Sequence, residues 1–254
     1  KKIIIFMPSI EGGGVEKNLF IISNYLIHYF ENISIISTSK EFRHRFNKKI
    51  KLITPKNNFW NKTSNRNLKI LICLYLLVKE LLFKKNLKVL SFQGNLYCCV
   101  LCKFFRAKVF LRANASITGW SKGFLKKFLY NKISRMADKI VVNSKEFQKE
   151  YKKYFNINTK FIYNPLNKDE IVKASKQKIK FPFFKKKTIN FINIGRLVNQ
   201  KNQLLILKSF KLLAERTNYK CKLLIIGRGE NRKLLLNFVK KYKLKNYIKL
   251  IDLK

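Results

Sequence analysis

Carboxylates are what this chain lacks most: 13 Asp and Glu stand against 56 Lys and Arg, for a formal net charge of +43 over 254 residues. Such an excess attracts polyanions, whether anionic bilayers, nucleic acids or phosphorylated substrates. The charge is not gathered into a tail. Lysines recur along the whole chain beside abundant Asn, Ile, Phe and Tyr, a usage that an AT-rich genome produces without selection for any partner. Net charge therefore informs non-specific binding and not the fold. Histidine is nearly missing: His28 and His44 are the only two, and His28, in the helix after the first loop, reads as a packed or exposed residue and not a catalytic one. Cysteine gives no framework either. Cys73, Cys98, Cys99, Cys102 and Cys221 are an odd set without regular spacing, which excludes a disulfide scaffold and fits a reduced, cytosolic compartment. Cys99 and Cys102 make a C-x-x-C, but it lies in an apolar run with no second pair or nearby histidine to complete a zinc site. Buried helix cysteines are the better reading.

Long apolar runs are missing too. The start, Lys1 to Pro8, has too few apolar residues before its proline for a signal-peptide core and reads as a strand. Leu68 to Phe83 is interrupted by Lys69, Lys79 and Glu80, falls short of a bilayer span and reads as a core helix. Disorder is opposed by a hydrophobic content of 47%. The length suits one large domain or two medium ones, each with its own core.

What is present is an alternation of strand-length apolar bursts with longer helical patterns, the signature of parallel sheets with crossover helices. Strands are expected at Lys2–Met7, Ile33–Thr38, Lys51–Ile53, Lys88–Phe92, Lys108–Leu111, Lys139–Asn143 and Lys160–Tyr163. Helices are expected near Glu16–Phe30, Arg66–Phe83, Leu96–Phe104, Lys122–Met136 and Ser144–Phe155. These complete one Rossmann-like domain over residues 1–166. A polar, lysine-rich stretch containing Pro182, residues 167–187, reads as a linker. A second alternation then covers residues 188–254: strands Thr188–Ile194, Cys221–Ile226 and Tyr247–Ile251, with helices near Asn202–Arg216 and Asn231–Tyr242. Three strands and two helices are few for an α/β domain, so the second domain reads as incomplete.

Three strand-to-helix loops carry the chemistry. After Ile194, Gly195 releases Arg196 and Lys201 into a loop that opens a helix. Unpaired N–H groups and the positive end of the helix dipole favour an anion there, and two cations sharpen that preference toward a diphosphate. The alternative is a pair of solvated loop charges. The first loop holds Gly12, Gly13 and Gly14 ahead of Glu16, so backbone can approach a ligand without Cβ obstruction; a tight structural turn explains it equally. It has neither G-x-G-x-x-G spacing nor the G-K-[ST] of a P-loop. Gly227 and Gly229 make a similar turn before Glu230, either lying under a nucleotide base or simply ending the strand.

Taken together, Gly12-Gly13-Gly14-Val15-Glu16, Val141-Val142-Asn143-Ser144, Ile162-Tyr163-Asn164-Pro165, Gly195-Arg196-Leu197 with Gln200-Lys201, and Leu224 to Gly229 resemble the retaining, nucleotide-sugar-dependent glycosyltransferases of the family 4 type. These have the GT-B fold of two facing Rossmann-like domains, and the resemblance covers the whole chain. It implies sugar transfer, of the hexosyltransferase type, from a nucleotide-sugar to a glycan or lipid-linked acceptor in surface polysaccharide synthesis. Arg196 and Lys201 would hold the donor diphosphate and stabilise charge on the leaving group. The Gly12–Gly14 backbone and Gly195 would approach the phosphates or sugar, and Gly227, Gly229 and Glu230 would lie near the nucleotide. No cofactor and no essential metal are expected. A basic first domain would suit a cytoplasmic enzyme resting peripherally on the anionic inner leaflet.

Two departures stand out. Many relatives carry a histidine after the fifth strand, where this chain has Arg112 and Asn114; either these would contact the sugar or acceptor, with Glu16 as a further candidate, or they are a charged strand end. The family's spaced pair of glutamates would follow Lys254 and does not occur earlier in the second domain. The resemblance thus implies a C-terminally truncated fragment, inactive alone. The rival readings are a non-catalytic remnant or partner subunit, and a basic nucleic-acid-binding protein. Against the last, no aromatic stacking platform, helix-turn-helix or RNA-recognition signature is present, so no specific nucleic-acid partner is expected.

Overall fold

The computed structural model describes every residue except 12, 58–59, 61–62, 64, 84–85, 118–122, 178–180, 185–186, 217, 219 and 253–254. The chain forms two compact units, Lys1–Val172 and Lys173–Lys254. The division falls inside the stretch 167–187.

The first unit is built on a seven-stranded, all-parallel sheet of order β3-β2-β1-β4-β5-β6-β7. Its strands are β1 Lys2–Phe6, β2 Asn32–Ile36, β3 Lys51–Ile53, β4 Lys88–Ser91, β5 Lys108–Ala113, β6 Lys139–Val142 and β7 Lys160–Phe161. Its helices are α1 Gly14–Leu26, α2 Arg66–Phe83, α3 Asn95–Phe104, α4 Phe124–Arg135, α5 Lys145–Phe155 and α6 Lys168–Ser175, the last crossing the division between the units. The continuous run Ile3-Ile4-Ile5-Phe6 makes β1 central, because a parallel strand covered on both faces cannot afford a polar side. Successive side chains point to opposite faces. Ile3 and Ile5 join Leu19 and Phe20 of α1 in one core, while Ile4 and Phe6 join Cys73, Leu77, Cys98 and Tyr151 from α2, α3 and α5 in the other. The strand order reverses between β1 and β4, the place where ligands meet the carboxyl edge of doubly wound sheets.

The expected elements are found, with shifted ends. Helix α1 stops at Leu26 and not Phe30, because i→i+3 bonds from His28 N–H to the Tyr25 carbonyl (3.3 Å) and from Tyr29 N–H to that of Leu26 (3.0 Å) tighten the chain into a turn. His28 is exposed in that turn, outside the helix. Ser144 starts α5 as a side-chain cap, accepting from the Phe147 N–H at 3.1 Å. Part of the expected linker is helical. Asn167 accepts from the Glu170 N–H at 3.3 Å and donates to the Glu170 carboxylate at 3.2 Å, so α6 begins with a reciprocal cap.

The cysteines sit in the core. All five are free and buried, with the Cys98 and Cys102 sulfurs 3.9 Å apart. Among the described residues no group of His, Cys, Asp and Glu is arranged to hold a metal ion. Burial pushes the Cys73 thiol up to about 12 and the Cys99 thiol up to about 11. A raised thiol pKa means the protonated, unreactive form persists at pH 8. Ellman's reagent is therefore expected to leave the native cysteines untouched over minutes at pH 8 and to titrate all five once guanidinium unfolds the chain. A fast-reacting native thiol would contradict this packing.

The second unit carries a parallel sheet of order β10-β9-β8, with β8 Ile189–Ile194, β9 Cys221–Ile226 and β10 Ile248–Ile251. Helices α7 Gln203–Arg216 and α8 Arg232–Lys241 close a core around Leu207, Phe210, Leu223, Ile225 and Leu235. Strand β8 is an edge, and its Ile189, Ile192 and Ile194 are exposed.

Candidate functional site

In the second unit the carboxyl ends of β8 and β9 lie side by side, and the loops that leave them are bonded to each other. Leu197 N–H donates to the Arg228 carbonyl at 2.8 Å, Asn231 N–H donates to the Leu197 carbonyl at 3.0 Å, and the Asn231 side chain donates to Asn199 Oδ1 at 2.8 Å. The contact is so close that only glycine fits two of its positions. A Cβ on Gly227 would stand 1.9 Å from the Gly195 carbonyl oxygen, and one on Gly229, whose φ is +157°, 2.3 Å from that of Leu197. These glycines therefore have a packing reason of their own. Gly195 is different: a Cβ there would find its nearest neighbour at 4.0 Å, the Gln203 side chain.

Out of this braced pair of loops project Arg196 and Lys201, both exposed. Neither is in an ion pair among the described residues. The chain from Asn199 to Lys201 makes a single 3-10 turn, Asn202 takes the left-handed conformation at φ 47°, and α7 begins at Gln203. Asparagine tolerates that conformation better than most residues. Both cations thus flank a helix N-terminus whose first N–H groups and dipole favour an anion. Gln203, buried at the first position of α7, donates from Nε2 to the Arg196 carbonyl at 2.9 Å and holds the loop onto the helix. Gln203 is not among the residues the sequence singles out, while Arg228, inside the segment Gly227–Glu230 expected near the nucleotide base, is a third exposed cation on the facing loop. A glutamine right after a cationic loop is the only signal that could have found the first. Glu230 is exposed beside Gly229.

The remaining candidates belong to the first unit. Gly12 lies outside the described residues. Gly13 is the N-cap of α1 and Gly14 its first residue. The Glu16 carboxylate lies over Gly13, with Oε2 2.8 Å from where a Cβ would be, and is itself buried. A carboxylate at that place complements the α1 dipole, so an anion approaching the same N-terminus meets it. Ser9 ties this loop down, its N–H donating to Gln93 Oε1 at 3.1 Å and its hydroxyl to Glu11 at 2.6 Å. Lys69 of α2 stands 3.8 Å from that same carboxylate, a cation at the carboxyl edge that its apolar surroundings in sequence hid.

Arg112, near the end of β5, is buried at 4% exposure. Its Nη2 donates to Asn164 Oδ1 at 2.8 Å and its guanidinium lies 5.8 Å from the Phe92 ring centroid, while Nε has no partner among the described residues. Burial holds its pKa below the ordinary arginine value. Asn114 donates to the Phe92 carbonyl at 3.3 Å and leaves Oδ1 buried without a partner among the described residues. Glu150 fixes the segment that follows, accepting from Ser116 Oγ at 2.8 Å and from the Ile117 N–H at 3.0 Å. Arg112 and Asn114 are thus drawn together at one edge, each with one buried polar atom that has no partner among the described residues.

Comparison with known proteins finds a match for one segment of the chain, a relative for part of it, and neighbours in fold for the whole. Part of the chain aligns with a glycosyltransferase of Methanocaldococcus jannaschii described as uncharacterized, at 29% identity over 148 residues, 55% of this chain and 36% of the relative. The chain thus spans about a third of that relative's length. Among solved structures, Anabaena HepE in complex with UDP and glucose superposes with a TM-score of 0.70 at 14% identity, covering 100% of this chain and 69% of HepE. TarM of S. aureus, solved with UDP among its ligands, gives 0.68 at 12% identity, covering 100% of this chain and 78% of TarM. At these identities the likeness is one of fold, and it is the GT-B type expected from the sequence. Residues 174–252, the segment that carries Arg196 and Lys201, match the family model for glycosyl transferases group 1.

Proposed function

We propose that this chain takes part in moving a sugar from a nucleotide-sugar to a glycan or lipid-linked acceptor, with retention of anomeric configuration, as a hexosyltransferase of surface polysaccharide synthesis at the cytoplasmic face of a membrane. The observation that carries the reading is the pair of exposed cations at the N-terminus of α7, braced by the β9 loop, inside the segment matched by the family model. Arg196 and Lys201 pair with the donor diphosphate and stabilise the negative charge that grows on it as the glycosidic bond breaks. With cations of its own at that place, the site has no need of a metal. Gly227 and Gly229 bring the β9 loop flat against its neighbour, leaving room for the nucleoside. In the second unit Glu215 is paired with Lys211 at 3.0 Å and Asp252 with Arg232 at 3.3 Å, which leaves Glu230 to meet the sugar or ribose. In the first unit Arg112 and Asn114, at the carboxyl end of β5, are the candidates for the sugar or acceptor, and a ligand reaches Arg112 Nε or Asn114 Oδ1 only if the side chains that bury them move aside.

The solved neighbours HepE and TarM hold UDP, which makes uridine-linked sugars the first donors to try. Saturation-transfer NMR against a panel of nucleotide-sugars tests the reading. The expected result is transfer to nucleoside protons of at least one donor, competed away by the matching nucleoside diphosphate. Silence across the whole panel would overturn it.

A further inference from the structure

The connection between β2 and β3, residues 37–50, and the edge strand β3 enclose an open cavity of about 460 Å³. It is lined by Lys40, Arg43, Lys48, Lys49 and Lys51 together with Ile50 and Leu52. Five of these seven residues are cationic, against 56 of 254 in the whole chain, so composition does not account for the cluster. Glu41, the one acidic residue between Glu31 and Glu80, is exposed and is not part of the lining. The four lysines are in no ion pair among the described residues. Charges of one sign held this close repel, and here the backbone that carries them is tied down against that repulsion. Arg43 turns its guanidinium onto carbonyls: Nη1 donates to those of Phe46 at 3.2 Å and Asn47 at 3.1 Å, and Nη2 to that of Lys48 at 3.1 Å. Asn24 of α1 donates to the Arg45 carbonyl at 3.1 Å and accepts from the Asn47 N–H at 2.9 Å, while Asn47 Oδ1 accepts from the Lys49 N–H at 2.9 Å. Arg43 thus builds the wall, and Lys40, Lys48, Lys49 and Lys51 stand exposed on a fixed frame.

We propose that this cavity is a second anion site, in the first unit, that takes a compact soluble anion carrying two or more phosphate groups. It is independent of the diphosphate site proposed before α7, which belongs to the second unit. Ammonium groups are mobile point charges that suit phosphate oxygens without demanding one planar geometry. Four of them around one concavity leave a single monoanion undercharged. The volume falls in the usual range of small-molecule sites. A nucleic acid fits less well, because no aromatic side chain lines the cavity for a base to stack on. A bilayer fits less well too. Ile50 is buried, and between residues 37 and 57 no large apolar side chain is exposed to enter lipid. A second copy of the chain would bring cations against cations.

Calorimetric titration with inorganic tripolyphosphate at physiological salt tests the assignment. Because the loop before α7 is itself expected to take phosphates, the titration uses the full chain carrying Arg196→Ala and Lys201→Ala. That protein is expected to bind tripolyphosphate still, at one site and more tightly than orthophosphate. Adding Lys40→Gln with Lys49→Gln should weaken the binding at least tenfold. Adding Lys240→Gln with Lys241→Gln, which removes the same charge from the last turn of α8, should change it no more than about twofold, since those charges act only through screened distance. If the first pair alters the near-UV circular dichroism, Lys48→Gln with Lys51→Gln reads the same cavity. In the otherwise unaltered chain, Lys40→Gln with Lys49→Gln should leave affinity for uridine 5′-diphosphate unchanged, so the two sites stand or fall separately. Absence of tripolyphosphate binding, or equal losses from the cavity pair and the α8 pair, would overturn the proposal. So would a cavity pair that weakens binding to random duplex DNA or to phosphatidylglycerol vesicles more than binding to tripolyphosphate, because the cavity would then serve a larger polyanion.

Discussion

Alanine at Gly227 is expected to destabilise the second unit by about 3 kcal/mol. The added Cβ would stand 1.9 Å from the Gly195 carbonyl oxygen and 3.0 Å from its carbon. Both are backbone atoms at the end of β8, so no side chain can swing aside. The loops must part, and with them the bonds from Leu197 N–H to Arg228 O at 2.8 Å and from Asn231 N–H to Leu197 O at 3.0 Å. Gly14→Ala is the control. Nothing lies within 4 Å of its would-be Cβ, and as the first residue of α1 it should be neutral or stabilise by up to about 1 kcal/mol through helix propensity and a less free unfolded chain. Urea denaturation separates the two. Wild-type stability for Gly227→Ala would show that the loops do not meet as described. The same variant should also bind nucleoside diphosphate poorly, since the loop that orients Arg196 rests on the one that moves.

The second large effect concerns the cations themselves. Arg196→Ala and Lys201→Ala are each expected to weaken nucleoside diphosphate binding by about 1–3 kcal/mol, the range for losing a charge-assisted hydrogen bond. Both side chains are exposed and outside any ion pair among the described residues, so the loss falls on the complex. Exposed charges are screened, so the effect should shrink as salt is raised. Arg196→Lys should restore only part of the loss, because a point charge replaces a planar fork that can hold two phosphate oxygens at once. Uridine, which has no phosphate, should bind the variants and the parent alike.

Much of this architecture could be read from residue order. The run Ile3 to Phe6 marked a strand buried on both faces, and Ser144 before Lys145 marked a helix start; both are local signals that the packing leaves in force. The bounds of α2, β3 and β9 were legible to the residue: Asn65 and Lys84 enclose α2, Thr54 ends β3, and Lys220 and Gly227 enclose β9. Helix α6 was hidden by its low apolar content, although Asn167 and Glu170 spell a reciprocal cap. What the sequence could not disclose was tertiary. Gly227 reads as a loop glycine, and only the Gly195 carbonyl pressed against it shows why no other residue fits. The bond from Arg112 to Asn164 joins residues 52 positions apart, beyond any periodicity. The exposed side of α4 carries the same Phe and Leu that would mark a core face, and its outward orientation emerges only once Tyr130 and Ser134 are seen to point inward.

On the proposed function, the loop between β8 and α7 grips a diphosphate through placed charges and not through the general charge of the chain, +43. The most direct test is calorimetric titration of uridine 5′-diphosphate into three proteins: the parent, the Arg196→Ala/Lys201→Ala pair, and a Lys240→Ala/Lys241→Ala pair that removes the same charge from the far end of α8. A loss of about 100-fold is expected for the first pair, equivalent to about 2.7 kcal/mol, and a change of no more than about twofold for the second, whose charges act only through screened distance. Equal losses in the two pairs, or none in the first, would contradict it.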